Sequence, residues 1–145
     1  MSHYTTTELE VKDIDSFVEA LVECWPMARG LEISKKDIEI HDEPVNLVGY
    51  MGDNRDQKAN IVIRRKNVGS ASNDIGFLVK DGKATAYISE FDNGAGYKQK
   101  WQNRVKQQYA INVTKKAAKQ KGYKVTETWV DGKCKLEATK YVTVG

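Results

Sequence analysis

Ile75-Gly76-Phe77-Leu78-Val79-Lys80-Asp81-Gly82-Lys83-Ala84-Thr85-Ala86-Tyr87-Ile88 is two alternating runs joined by an Asp-Gly pair. Asp-Gly is the residue choice of a two-residue hairpin turn, because both central positions take positive φ. Such a turn pairs Val79 with Ala84, Phe77 with Ala86 and Ile75 with Ile88. Six apolar side chains then share one face, while Lys80, Lys83 and Thr85 fall on the other. Gly76 faces Tyr87, whose ring covers a residue that has no side chain.

The same device recurs at the other end of the chain. Tyr123 to Val130 meets Asp131-Gly132 and returns as Lys133 to Ala138, which sets Trp129 against Cys134, Glu127 against Leu136 and Val125 against Ala138. Glu127 is the one charge on that apolar face and is expected at a sheet edge. A third hairpin, with a longer polar loop from Gly52 to Gln57, is predicted from the alternation in Val45 to Met51 and Ala59 to Arg65. Leu31 to Ile40 reads as a further strand segment, and Thr5 to Val11 as an opening strand.

Two segments carry helical spacing. Asp13 caps a run in which Ile14, Phe17, Val18, Leu21 and Trp25 share one side, with Asp15, Glu19 and Glu23 opposite and Pro26 and Gly30 ending it. A second helix is predicted from Ala95 to Lys121, capped by Asn93 or Asp92 and stopped by Gly122. Its aromatic and apolar residues, Tyr97, Trp101, Val105, Tyr109, Val113 and Ala117, recur strictly every four. A four-residue step advances about 40° round an ideal helix, so this stripe wraps away from any flat surface. A bend or a change of partner is expected near Ile111-Asn112-Val113-Thr114. Together these elements predict an α+β fold: an antiparallel or mixed sheet built largely from hairpins, with two helices on one face. The 145 residues predict a single domain over 1–145.

Composition sets the class. The chain is 40% hydrophobic and 30% charged, as folded proteins are. No apolar run approaches the roughly 20 residues that span a bilayer, so no membrane partner is expected, and Met1-Ser2-His3-Tyr4-Thr5 has no signal-peptide pattern. A cytoplasmic location follows as the expectation. Cys24 and Cys134 lie far apart without a Cys-x-x-Cys pair and are read as core thiols.

Several short stretches together, Met1-Ser2-His3-Tyr4-Thr5, Gly49-Tyr50-x-Gly52, Asp74-Ile75-Gly76-Phe77, Asn103-Arg104-Val105-x-Gln107-x-Tyr109-Ala110 and Ala117 through Gly122, occur in an order that resembles the hypothetical chloroplast reading frame 35 family. These are small proteins of unknown function from algal plastids, cyanobacteria and other bacteria. The resemblance implies one domain inside a cell, in a cytoplasm, a plastid stroma or the cytoplasm of a phage host. It supplies no catalytic residue. Two stretches depart from the family pattern: the segment from Leu31 to Val45 is longer, and Ser89-Glu90-Phe91-Asp92 replaces an acidic segment that ends in aromatics.

No catalytic constellation is legible. His3 and His41 are the only imidazoles, and neither has a nucleophile or an orienting acid in a recognisable pattern. His41-Asp42-Glu43 lacks the further ligands of a metal shell, so no metal and no cofactor is expected. Charge is the outstanding feature. Residues 1–46 hold eleven acids against four bases, whereas residues 93–126 hold nine bases and no acid. The first reading is a non-enzymatic accessory or adaptor protein that acts through an unknown protein partner or self-association. A second is RNA or DNA binding through the basic segment 93–126, with Lys98, Lys100, Arg104 and Lys106 on phosphates, Arg64 and Arg65 adding a second cluster, and exposed aromatics as stacking groups. The third is a binder of, or an enzyme on, a small phosphorylated ligand at the start of the second helix, cradled by Gly94 and Gly96.

Overall fold

A computed structural model of the protein describes residues 3–140. The elements run β1 (Tyr4–Glu10), α1 (Ile14–Cys24), α2 (Pro26–Arg29), β2 (Ile38–Val48), β3 (Asn54–Ile63), β4 (Ile75–Lys80), β5 (Lys83–Ser89), α3 (Glu90–Ala95), α4 (Gln99–Gln120), β6 (Tyr123–Val130) and β7 (Lys133–Lys140). The fold is α+β. Five strands form an antiparallel sheet in the order β1-β5-β4-β3-β2, and β6 and β7 form a separate two-stranded sheet.

The Asp-Gly turns behave as their chemistry requires. Asp81 and Gly82 have φ of 53° and 75°, and Asp131 and Gly132 have 50° and 74°. Val79 pairs with Ala84, Phe77 with Ala86 and Gly76 with Tyr87. The ladder with β5 stops there, and Ile75 pairs instead with Ile63 of β3. In the last hairpin Trp129, Glu127 and Val125 oppose Cys134, Leu136 and Ala138. Glu127 is explained by α4, since its carboxylate accepts from Lys115 Nζ at 2.7 Å and from Trp129 Nε1 at 3.1 Å.

One face of the five-stranded sheet carries α1 and α4. Asp13 caps α1 through the Ser16 amide at 3.2 Å, and Phe17, Leu21 and Cys24 point into the core. Pro26 opens one more turn, α2, which Gly30 ends at a φ of 78°. Trp25, at the junction, packs on Tyr97 and Trp101 with ring centroids 4.8 and 5.6 Å away. Each polar edge in this aromatic group is used: Trp25 Nε1 donates to Asn67 O, Trp101 Nε1 to Cys24 O and Tyr97 OH to Val68 O. Cys24 is fully buried, and Cys134 is half-buried.

The other face is covered by the chain's own hairpin. Between Ile40 and Val45, β2 advances five residues while β3 advances two, from Ile61 to Ala59. That irregularity bends the hairpin over the sheet, bringing Leu47 and Ala59 onto Gly76 and Arg55 over the Tyr4 ring at 5.0 Å on the far edge strand. Where β3 leaves β4, Asn60 Oδ1 takes the Val79 amide at 2.9 Å in place of a backbone carbonyl. The polar loop is shorter than expected, with Gly49 N–H donating to Asp53 O at 2.8 Å. Leu31 to Asp37 is loop and one helical turn; strand structure begins at Ile38.

The second predicted helix is two helices. Ser89, not Asn93 or Asp92, caps the first by accepting from the Asp92 amide at 3.1 Å, and Gly96 closes it with a φ of 146°. Gly96 packs against the Ala28 carbonyl, where a Cβ has no room, so the break is enforced by α2. Along α4 the four-residue stripe leaves the core as it wraps: Trp101 and Val105 are buried, Tyr109 and Val113 half-buried, and Ala117 exposed. The buried face is Trp101, Gln102, Val105, Gln108, Ile111 and Asn112. The helix continues through Ile111 to Thr114, and β6 is the additional partner it meets.

A Cβ at Gly76 collides with Leu47 Cδ2 and Ala59 Cβ, both 2.7 Å away. Gly76→Ala is therefore expected to cost about 1–3 kcal/mol through overpacking. A denaturant melt measures it; an unchanged midpoint contradicts the fold-over of the β2–β3 hairpin.

Candidate functional site

The nine bases of residues 93–126 separate by location and by partner. Lys98, Lys100 and Arg104 line one groove of about 640 Å³ together with Gly94 and Gly96, between the α2–α3 side and α4, with Gly132 of the last hairpin at its rim. Lys106 belongs to a different depression, beside Leu9, Glu10 and Tyr109. Lys115 is paired with Glu127 at 2.7 Å and Lys116 with Asp13 at 2.8 Å.

The groove's lining contains three cations and no acid, with Met27 and Trp101 as its large apolar members. Met27 is 58% exposed, unusual for a methionine in a folded domain. Arg104 is held on three sides. Its guanidinium lies 4.0 Å over the Trp129 ring, its Nη2 donates to Gln108 Oε1 at 2.9 Å, and its carbonyl faces the Cys24 thiol at 3.9 Å. Its Nη1 is buried and has no hydrogen-bond partner among the described residues. A buried donor without a partner costs about 1–3 kcal/mol. The first turn of α4, whose amides have no intrahelical acceptors, opens beside the same lysines. Burial pushes the Cys24 thiol up to about 11 despite the nearby Arg104 charge, so it stays protonated at neutral pH.

Gly94 and Gly96 come just before α4 but belong to the end of the short helix that precedes it. Gly94 lies inside α3, Gly96 ends it, and the Gly96 amide donates back to Asn93 O and Asp92 O. Gly94 contributes open backbone to the groove wall, whereas Gly96 is buried against the Ala28 carbonyl.

Arg64 and Arg65 form part of a different construction. Asp74, buried at the start of β4, accepts from Arg65 N at 2.7 Å through Oδ1, and from Val48 N and Arg64 Nη1, both at 2.8 Å, through Oδ2. Arg64 also grips Glu39 with Nε and Nη2 at 2.7 and 2.9 Å, and Arg65 Nη1 donates to Tyr50 O at 2.9 Å. The Arg64 fork holds the Glu39 carboxyl below its usual range, with His41 Nε2, 2.8 Å away, adding to the effect. Glu39, with Asp74, in turn raises the Arg64 pKa. Sequence reasoning missed this hub; its signal is an acid directly before the apolar run that opens β4.

A wider groove between α1 and α4, about 720 Å³, carries both signs: Asp15, Glu19 and Glu23 face Lys35, Lys115 and Lys119. It is the place where the acidic first helix balances the basic second one. Among the described residues no group of three or more His, Cys, Asp or Glu side chains is arranged to hold a metal ion, and no helix is long and apolar enough to cross a membrane.

A family model described as "Protein of unknown function (DUF1257)" matches residues 33–136. The chain belongs to this family. The DUF1257 match takes in β2 through β6, with α3 and α4, and hence most of the groove; β1, α1 and α2 lie outside it. No curated protein and no solved structure matches the chain.

Glu39 and Glu127, both lowered from an ordinary 4.5 chiefly by Arg64 and Lys115 respectively, bind fewer protons folded than unfolded. Asp13 is lowered in the same way by Lys116. Their stabilisation is complete above the unfolded values and is lost as pH falls through the folded ones. Unfolding free energy from urea melts is thus expected to hold level from neutrality to about pH 5 and to fall below about pH 4. In Glu127→Gln the fall is shallower; an identical acid limb contradicts the pairing.

Proposed function

We propose that this protein is a non-catalytic accessory or adaptor domain that holds an acidic, partly apolar stretch of a partner protein in the groove formed by Met27, Lys98, Lys100, Trp101 and Arg104. The observation that carries the reading is a groove with three cations, no acid and an exposed methionine in its lining. Lys98, Lys100 and Arg104 take part in no ion pair among the described residues, and the groove that gathers them supplies no acid. An acidic residue supplies the missing charge to Lys98 and Lys100, an apolar side chain lies on Met27, and Arg104, its Nη2 given to Gln108 and its Nη1 buried, adds its positive field to the groove.

Two observations favour a protein partner over a nucleic acid. The bases do not make the track that a phosphate backbone follows, since Lys106, Arg64 and Arg65 lie apart from Lys98, Lys100 and Arg104. Of the aromatics suited to stacking, Tyr97 is fully buried, Trp101 is 5% exposed and Tyr109 OH accepts the Lys12 and Asp13 amides, while Tyr50, 40% exposed, is not part of the groove that holds Lys98, Lys100 and Arg104. A small phosphorylated ligand finds less than expected from Gly94 and Gly96, because the Gly96 amide is already used. The order of the short motifs further supports a place beside the chloroplast reading frame 35 proteins, one domain over 1–145, and a cytoplasmic or stromal setting.

Fluorescence anisotropy with a labelled peptide rich in Asp and Glu and carrying one Leu and one Phe tests the reading, with oligo-dT and pyrophosphate as competitors. Binding that weakens with salt and falls about tenfold in the double variant K98Q/K100Q is expected. Both lysines are exposed, so the melting midpoint should not move. Absence of peptide binding at low salt overturns the proposal, and so does tighter binding of oligo-dT than of peptide.

A further inference from the structure

The last hairpin presents an open strand edge. β7 pairs with β6 on one side and with no other described strand. Val130 and Lys133 flank a two-residue turn and therefore form a hydrogen-bonded pair, and pairs alternate from there. The backbone groups of Lys133, Lys135, Glu137 and Thr139 consequently face β6. Those of Cys134, Leu136 and Ala138 face outward, three N–H and three C=O groups in the geometry of a ladder with one side missing.

We propose that this edge pairs with the β7 edge of a second copy of the chain, antiparallel, about a two-fold axis at Leu136. In that register Leu136 meets Leu136, and Cys134 and Ala138 meet each other twice, all outward-facing residues, so the six edge groups are satisfied together. Lys135 then lies opposite the second copy's Glu137, and Glu137 opposite its Lys135, as close non-hydrogen-bonded pairs. The axis is selected by charge. Moved to position 135 it sets Lys135 against itself, and moved to position 137 it sets Glu137 against itself. Axes between residues match outward-facing groups with inward-facing ones and close no ladder.

Within one copy these two charges have little else to do. Across the hairpin Lys135 faces Thr128 and Glu137 faces Thr126, and the Lys135–Glu137 contact along the strand, at 3.2 Å, joins side chains 73% and 63% exposed. An exposed pair of that kind contributes little to the monomer. A two-stranded sheet is also marginal by itself, and pairing makes it four-stranded. This proposal does not depend on the groove, whose lining includes neither residue.

Sedimentation velocity over a concentration series tests it on the full chain. The unmodified protein should pass from monomer to dimer as concentration rises. K135E alone, or E137K alone, turns both cross-copy pairs repulsive and should weaken association about tenfold or more. The double variant K135E/E137K restores opposite charges and should recover the dimer. Ala138→Pro removes an outward N–H while leaving the β6 ladder intact, and should be monomeric with unchanged circular dichroism. A monomer at every concentration overturns the proposal. Single variants that associate like the unmodified chain overturn it also, as does a folded double variant that fails to recover.

Discussion

Asp74 is the point at which the sheet, its covering hairpin and its opening strand are joined. Its carboxylate takes hydrogen bonds from Val48, Arg64 and Arg65, its amide donates to Val48 O at 2.9 Å, and its carbonyl accepts Tyr4 OH at 2.6 Å. A carboxylate removed from water is tolerable only when its oxygens are fully engaged, and the engagements here come from the end of β2 and from the two arginines that follow β3. β1, β2, and the end of β3 are thereby fixed to β4 at one end of the sheet. The neighbouring loop repeats the logic: Asn73 receives the Tyr50 amide at its Oδ1 and gives its own to Asp92 Oδ2, both at 3.0 Å. The end of the sheet is a polar core, built around residues in sparse backbone conformations such as Ala71, with a φ of 56°.

From that end the rest of the molecule is arranged by two kinds of packing. The helical side is held by aromatic and aliphatic burial around Trp25, Tyr97 and Trp101, while the seam between α1 and α4 is partly polar. Gln108 Nε2 donates to Asn112 Oδ1 at 3.0 Å, and Asn112 Nδ2 donates to Glu23 Oε1 at 2.8 Å. This chain of amides, begun at Arg104, orients α4 in a way that apolar contacts alone do not, because each member must keep its partner. It also accounts for the basic helix. Lys115 and Lys116 meet Glu127 of β6 and Asp13 at the cap of α1, while Lys98, Lys100 and Arg104 at the N-terminal end of α4 are gathered in the groove without an acid.

The hairpins were legible in the sequence because a two-residue Asp-Gly turn sets register by backbone geometry, independently of anything distant. Helix α1 was legible for a similar local reason, a cap followed by one apolar face. What escaped was set by contacts far along the chain. The break at Gly96 depends on the Ala28 carbonyl, and the irregularity in β2 depends on a sheet face that no local pattern reveals. The buried glutamines of α4 carry no apolar signal, so the four-residue aromatic stripe drew the predicted face round the helix. Of the candidate residues, Lys98, Lys100 and Arg104 share one groove, since they lie within two turns of one helix. Arg64 and Arg65 resemble them in sequence and differ in company: Arg64 pairs with Glu39 and Asp74, and Arg65 gives its amide to Asp74 and its guanidinium to Tyr50 O, partners that lie far along the chain.

The strand order also has a temporal meaning. Among the described strands β1 pairs only with β5, Tyr4 opposite Ser89 and Glu10 opposite Lys83, so during synthesis β1 has no strand neighbour until β5 has been made. At typical synthesis rates that delay is on the order of ten seconds. During it Phe17 and Leu21 of α1, buried in the finished fold, lack the sheet that covers them. Asp15, Glu19 and Glu23 line the opposite side of the same helix, and the first third of the protein is strongly negative. Before those acids balance α4, they leave the unfinished chain with an excess of negative charge, and like charges oppose association between copies.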